Sequence, residues 1–242
     1  MLDIDGTLCE IVERPGAALI PRGARASLAA LTRAPASNVH LAFVTGRSIA
    51  DARRMIGLDG IIIYGNHGME RLADSGNIRG PEGWEHMGPN LRSGAQELSR
   101  MVATIPGTSL EDKQFTLTVH YREMDMAALP ELKERVNDVA LRYGLRASPG
   151  KCVINLAPGA AAGKDVAALE IVRDFAGDAK SASILFAGDD VTDEDAFRAL
   201  RRFPSAVTVR VGRADAESAA QYSMEAPTDV HELLALIVAS RL

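Results

Sequence analysis

Two acidic clusters are the residues best equipped to do chemistry. The chain opens Met1-Leu2-Asp3-Ile4-Asp5-Gly6-Thr7-Leu8, and Gly188-Asp189-Asp190-Val191-Thr192-Asp193-Glu194-Asp195 stands near the other end. Asp3 and Asp5 are two apart on an extended segment, so both project to one side. One carboxylate of such a pair can attack a phosphorus atom while the other handles the leaving-group proton, which is covalent catalysis assisted by a general acid. Each cluster follows apolar, strand-like residues, and open parallel sheets bind ligands beyond the carboxyl ends of their strands. Two carboxylate clusters placed there repel each other unless a hard cation such as Mg²⁺ sits between them. Read alone, the first motif is equally a pair of solvated strand-end aspartates. Asp189, Asp190 and Asp193 alone equally suit the N-terminus of a following helix.

Two further motifs fit a phosphoryl group. Thr45-Gly46-Arg47 follows the apolar run Leu41 to Val44 and offers a hydroxyl, backbone N–H groups and a guanidinium. The plainer reading is a strand-to-helix turn with Thr45 as N-cap. Lys164 opens a helix in Gly163-Lys164-Asp165 and could neutralise phosphate and nucleophile together, although a lone lysine there is ordinarily solvated.

These motifs need elements to hold them. Leu41 to Val44, Ile61 to Tyr64, Ser183 to Phe186 and Val207 to Val211 read as buried strands. Helical patterns lie between them, such as Val166, Leu169, Val172 and Phe175, and the alternation predicts an α/β core with a Rossmann-like parallel sheet. The middle of the chain differs. Leu91, Ala95, Leu98, Met101 and Ile105 predict one amphipathic helix, and Leu132, Val136, Val139 and Tyr143 a second, with Pro130 near its start and Gly144 as its stop. Phe115, Leu117, Val119 and Tyr121 alternate with Thr116, Thr118, His120 and Arg122; Cys152, Ile154 and Leu156 alternate with Lys151, Val153 and Asn155. Period-two alternation predicts a sheet with one buried and one wet face. An inserted α-β-α-β, α+β domain is therefore expected over residues 83–157, inside a core of residues 1–82 and 158–242, with hinges near Gly80-Pro81 and Pro158-Gly159.

Composition narrows the partners. The 242 residues are 47% hydrophobic and 24% charged, ordinary values for a globular protein. A net charge of −5 argues against nucleic acid. The two cysteines suggest no disulfide framework and fit a cytoplasmic setting. No signal peptide and no membrane-length apolar run is apparent, so no membrane partner is expected. The partner expected is a small molecule, with the chain acting as a monomer. Only Met1 and Leu2 precede Asp3, short for a buried strand, which favours a natural chain that begins further upstream.

Taken in order, D-x-D-G-T-L, T-G-R, a lysine and G-D-D-x-T-D-E-D resemble the haloacid dehalogenase superfamily of phosphatases over nearly the whole core. The resemblance implies Asp3 as the nucleophile that forms an aspartyl-phosphate and Asp5 as general acid and base. It implies Thr45 and Lys164 holding the phosphoryl oxygens. It also implies Mg²⁺ bound by Asp3, the Asp5 carbonyl and Asp189, with Asp190 or Asp193 outside them. A finer resemblance is to the trehalose-6-phosphate phosphatase family. Gly65-Asn66-His67-Gly68-Met69-Glu70 is similar to its G-N-H-G-x-E segment, and Glu111-Asp112-Lys113 followed by His120-Tyr121-Arg122 to its cap motif. Pro149-Gly150-Lys151 is similar to its P-G-K. This implies sugar contacts from Glu111, Lys113, Arg122 and Lys151, and places Gly46, Arg47, Asn66 and His67 with the substrate.

The chain departs from that family in two places. Asn155-Leu156-Ala157-Pro158 stands where the family runs towards E-I-R-P, and Asp165 follows Lys164 where glycine is usual. The expectation is a Mg²⁺-dependent phosphatase that hydrolyses trehalose 6-phosphate, in trehalose biosynthesis, with a mobile cap that closes over the site to exclude water. The alternatives are a phosphatase or phosphomutase for another sugar phosphate, or a catalytically silent, sugar-phosphate-binding regulatory protein.

Overall fold

The computed structural model describes residues 1–12, 15–33, 39–72, 76–81, 83–150, 152–159, 163–175, 182–213, 215 and 217–240; Lys151 lies outside them. The chain begins with α1 (Arg22–Arg33), β1 (Ala42–Val44), α2 (Ile49–Ile56), β2 (Ile62–Gly65), β3 (Glu70–Leu72) and β4 (Ile78–Arg79). There follow α3 (Trp84–Val102), β5 (Ser109–Asp112), β6 (Leu117–His120), α4 (Leu129–Arg142), β7 (Leu145–Gly150) and β8 (Val153–Pro158). The last stretch is α5 (Lys164–Phe175), β9 (Ile184–Gly188), α6 (Val191–Leu200), β10 (Ala206–Val211), β11 (Tyr222–Met224) and α7 (Pro227–Ala239). Two compact units result: Met1–Arg79 with Ala162–Leu242, and Gly80–Ala161.

In the first unit, β1 pairs with β2 in parallel, and β10 pairs in parallel with both β9 and β11. β3 and β4 extend the sheet antiparallel beyond β2. The two halves meet at Leu2, which bridges Phe43 on one side and Ala187 on the other, parallel to both. Leu2 N–H donates to Ala42 O and Asp3 N–H to Ala187 O, each at 2.9 Å. A strand's place is thus filled by the residues around Leu2, and Asp3 emerges at its carboxyl end. Side-chain alternation then sorts the layers. Phe43, Ile63 and Val209 pack with apolar residues of α1, α2 and α7, whereas Ala42, Val44, Tyr64 and Phe186 pack with α5 and α6. Each fully buried Phe, Leu or Ile contributes about 1.5–3 kcal/mol of transfer free energy.

The stripe Val166, Leu169, Val172, Phe175 does not define the inner face of α5. Its buried residues are Lys164, Ala167, Ala168, Ile171 and Val172, and Val166 is exposed. Small residues on the buried side allow close approach: a Cβ placed on Gly68 would lie 3.3 Å from Ala167 Cβ. Apolar spacing of three marked a helix and missed the alanine face.

In the second unit, α3 and α4 pack on an antiparallel sheet of order β5-β6-β8-β7 around Leu91, Leu98, Leu117, Val136 and Leu156. The order is α-β-β-α-β-β rather than α-β-α-β. The additional strands are the two edges: Ser109–Asp112 carries one apolar residue, and β7 carries Pro149, which an edge tolerates. Thr116 and Thr118, expected on the wet face, are buried. Thr118 lies in register between Glu111 and Asn155, and its hydroxyl donates to Asn155 Oδ1 at 3.0 Å. Arg122 lies in the turn beyond β6 rather than on the strand with His120.

Candidate active site

At the carboxyl end of the central sheet, three carboxylates gather around one ammonium group. Asp3 is 5% exposed and Lys164, the first residue of α5, is 2% exposed. Lys164 Nζ donates to Asp193 Oδ1 at 2.9 Å and stands 3.3 Å from Asp3 Oδ1. Carboxylate oxygens of Asp3, Asp189 and Asp193 lie within 4.8 Å of one another. Asp193 is braced from behind, because its Oδ2 accepts the backbone N–H groups of Asp189 and Asp190. Asp190 is the N-cap of α6: its Oδ1 accepts Thr192 N–H at 2.5 Å and the Thr192 hydroxyl at 2.6 Å, outside the three-carboxylate group. The resemblance implies Asp190 or Asp193 outside the ligands; the Asp193 carboxylate joins the group, whereas that of Asp190 caps α6.

Three acids around one lysine set the electrostatics. Burial pushes Asp3 up to about 7; Lys164 opposes this and the Asp189 charge adds to it. Burial pushes Asp193 up to about 7 and Asp189 up to about 6 in the same way. Burial alone works against the Lys164 ammonium, but Asp3 and Asp193 outweigh it and hold its proton firmly. Among the described residues, buried Asp3 Oδ1 accepts no hydrogen bond. A hard divalent cation fits this donor set of Asp3, Asp189 and Asp193. The space is kept by backbone as well. Gly6 has φ +77°, and a Cβ there would fall 2.0 Å from Asp189 Oδ2.

Asp5 faces a different partner. Arg47 Nε donates to its Oδ2 at 2.6 Å and Arg47 Nη2 to its Oδ1 at 2.5 Å, a two-pronged pair. Thr45 is fully buried, and its Oγ1 accepts Arg47 N–H at 3.2 Å. The N-cap of α2 is Ser48, whose hydroxyl oxygen accepts Asp51 N–H, so Thr45 is not the cap. Gly46 lies against His67: a Cβ there would be 2.6 Å from His67 Cε1. His67 Nδ1 is 3.4 Å from Thr192 Oγ1. Asn66, expected at the substrate, is 1% exposed, and its Nδ2 donates to Glu70 Oε1 at 2.6 Å, so its amide is turned into the protein.

On the second unit, His120 Nε2 and Glu111 Oε2 are 2.9 Å apart, and Lys113 Nζ is 3.9 Å from the same oxygen. Arg122 is exposed. The sequence reading missed two residues that hold the core loops. One is Glu70, whose carboxylate accepts Asn66 Nδ2–H and Ile49 N–H. His231 on α7 reaches Leu8 O at 2.9 Å and steadies the loop after Asp3. A lone histidine on a helix carries no sequence signal for that contact.

The family model described as trehalose-phosphatase matches residues 1–228. A trehalose-phosphate phosphatase of Mycobacterium marinum is 36% identical over 233 residues, covering 95% of this chain and 58% of the relative. The chain thus spans less than two thirds of that relative's length. Among solved structures, a trehalose-6-phosphate phosphatase related protein aligns with TM-score 0.80 at 24% identity, over 98% of this chain and 96% of that one. A haloacid dehalogenase-like hydrolase from Bacteroides thetaiotaomicron aligns with TM-score 0.71 at 14% identity, over 98% and 97%. These two likenesses concern the fold, a Rossmann-like core with an inserted α+β unit. The family match and the 36% relative carry the assignment further: the chain belongs to the trehalose-phosphatase family.

Proposed function

We propose that the chain is a phosphoric monoester hydrolase that converts trehalose 6-phosphate to trehalose and phosphate, through an aspartyl-phosphate on Asp3 and with Mg²⁺ as cofactor. One observation supports this above the rest: Asp3 Oδ1 is buried, accepts no hydrogen bond among the described residues and lies 3.3 Å from the Lys164 ammonium. That is a carboxylate oxygen without a formal hydrogen bond, held beside a fixed positive charge, as a nucleophile at phosphorus requires. Asp3 attacks phosphorus in line while the sugar–oxygen to phosphorus bond breaks, and Lys164 and the Thr45 hydroxyl hold the equatorial oxygens. Asp5 gives a proton to the departing sugar oxygen and then takes one from the water that hydrolyses the aspartyl-phosphate. Both Asp5 oxygens are occupied by Arg47, so its acid role requires Arg47 to be drawn off, and an arriving phosphate dianion is a suitable competitor for that guanidinium. Asp3 and Asp189 would hold Mg²⁺, with Asp5 contributing its carbonyl and Asp190 or Asp193 outside them. When bound, the cation withdraws charge from the phosphoryl oxygens.

Reading of the sugar is assigned to Glu111, Lys113, Arg122 and Lys151 of the second unit, and Gly46, Arg47 and His67 remain assigned to the phosphate end. A small-molecule partner and monomeric action fit this reading. No helix among the described residues is long and apolar enough to cross a membrane. Asn155 favours a second reading, another sugar phosphate, because an amide occupies a position where the family resemblance implies a carboxylate. Phosphate release over a panel of sugar phosphates, with and without Mg²⁺, tests both. Trehalose 6-phosphate should give the highest kcat/KM, and only with the metal. No release from any member would end the proposal, and a better alternative sugar would replace its substrate.

A further inference from the structure

The loop after β2 touches the Thr45–Arg47 turn, Thr192 and the residue before Lys164, and its geometry is unusual. Asn66 (φ +47°), His67 (φ +57°) and Gly68 (φ +95°) are three successive left-handed residues, two of them not glycine. Such backbone persists only where its surroundings over-determine it. Asn66 N–H donates to Arg47 O and His67 N–H to Thr45 O, each at 2.8 Å. A Cβ on Gly68 would lie 2.6 Å from the carbonyl oxygen of Gly163, the residue before Lys164. A Cβ on Gly65 would lie 2.8 Å from both Arg47 O and Ile49 N. At the centre is Glu70, 4% exposed, whose Oε1 accepts Asn66 Nδ2–H at 2.6 Å and whose Oε2 accepts Ile49 N–H at 2.7 Å. Ile49 is the first residue of α2, so this N–H has no partner within the helix.

We propose that Glu70 is a positioning residue for the phosphate-binding turn Thr45–Arg47, its carboxylate clamping that turn, the start of α2 and the left-handed loop into one rigid piece. It touches no reacting atom. It acts through the carbonyls of Thr45 and Arg47, which the loop anchors, and hence through the Thr45 hydroxyl and the guanidinium that holds Asp5. The assignment rests on the phosphatase reading for what the turn binds. Its polarity makes it testable, because both Glu70 oxygens serve N–H donors and an amide offers only one acceptor. Glu70→Gln therefore loses one of the two hydrogen bonds. Asn66→Asp faces carboxylate with carboxylate. The double variant Asn66→Asp/Glu70→Gln restores both: the amide introduced at position 70 donates to the carboxylate introduced at position 66 and accepts from the Ile49 N–H.

The test is calorimetric binding of inorganic phosphate in the presence of Mg²⁺ to the full chain, alongside kcat on trehalose 6-phosphate and thermal unfolding. Each single variant should weaken phosphate binding about tenfold and lower kcat by about 10- to 100-fold, as expected for a misplacement on the ångström scale. The double variant should return to within about threefold of the wild type. A purely structural clamp would lower the unfolding temperature and leave phosphate affinity unchanged in the folded protein. That result, or a double variant no better than the worse single one, overturns the proposal. If Glu70→Gln fails to fold, Asn66→Asp and the double variant decide it alone. A wild type that binds phosphate but hydrolyses no ester removes the phosphatase reading and leaves this test standing. A wild type that binds no phosphate overturns both.

Discussion

Lys164 and Lys113 each face carboxylates, under opposite conditions. Lys164 and its partners Asp3 and Asp193 are buried, whereas Lys113, Glu111 and His120 keep 25%, 49% and 43% of their side-chain surface in water. In the core, removal of water lifts the carboxyl groups towards neutrality and sets a fixed ammonium against them. On the second unit, water screens the same residue types, and exposed pairs of that sort contribute about 0–1 kcal/mol. The proposed chemistry would therefore depend on positions that protein packing fixes in advance. The proposed sugar-reading role falls to groups that keep part of their surface in water.

The sharpest way to break this contrast is at the nucleophile. Asp3→Asn keeps the shape and removes the attacking charge, so phosphate release should fall by at least about a thousandfold while the circular dichroism spectrum is retained. Activity near wild type would end the covalent mechanism. Next comes a matched pair of substitutions. Lys164→Met leaves buried acids without their counter-charge and should destabilise by about 3–5 kcal/mol. Lys113→Met should cost less than about 1 kcal/mol. Chemical denaturation measures both, and equal losses would erase the distinction. The excess of carboxylates over ammonium in the core also predicts that Mg²⁺ stabilises the fold, by about 2.7 kcal/mol at one hundred times its Kd. Denaturation with and without the metal should show this in the wild type and not in Asp189→Asn. A smaller effect is expected at the surface residues. Lys113→Ala and Arg122→Ala should each lower kcat/KM for trehalose 6-phosphate about tenfold and leave p-nitrophenyl phosphate within about twofold. Parallel losses on both esters would move these residues into folding or core chemistry. The smallest effect expected is at Asn155, whose Oδ1 accepts the Thr118 hydroxyl. A charged acceptor exceeds a neutral one by roughly 1 kcal/mol. Asn155→Glu should therefore lower KM for trehalose 6-phosphate a few-fold if position 155 meets the sugar.

The meeting of Asp3 and Lys164 at one end of the sheet was legible because their types and their places after strands are local properties, and local sequence carries both. The burial of Thr118 was not, since it arises from neighbours on two other strands. The inner face of α5 was hidden because Ala167 and Ala168 give little hydrophobic signal yet permit the closest packing. The contact of Asn66 with Glu70 was hidden for a related reason. An amide in a glycine-flanked loop has the composition of a ligand-binding group, and Glu70 four residues on, folded back against it, takes up its Nδ2–H. The β5 and β7 edges escaped notice because an edge strand needs few apolar residues.

The seam at Leu2 also orders events in time. Its partners Ala42 and Ala187 belong to opposite halves of the sheet, and the Asp3 N–H closes onto the later one. During synthesis Asp3 thus emerges well ahead of β9 but gains its backbone partner only after that strand has been made. Parallel pairing across such separations is slow, because loop-closure entropy must be met before the contacts form. The second unit finds all its strand partners within itself and has no such wait. Asp3 is therefore seated only once β9 has been made, and a chain stalled before Ala187 would carry Asp3 without that backbone partner.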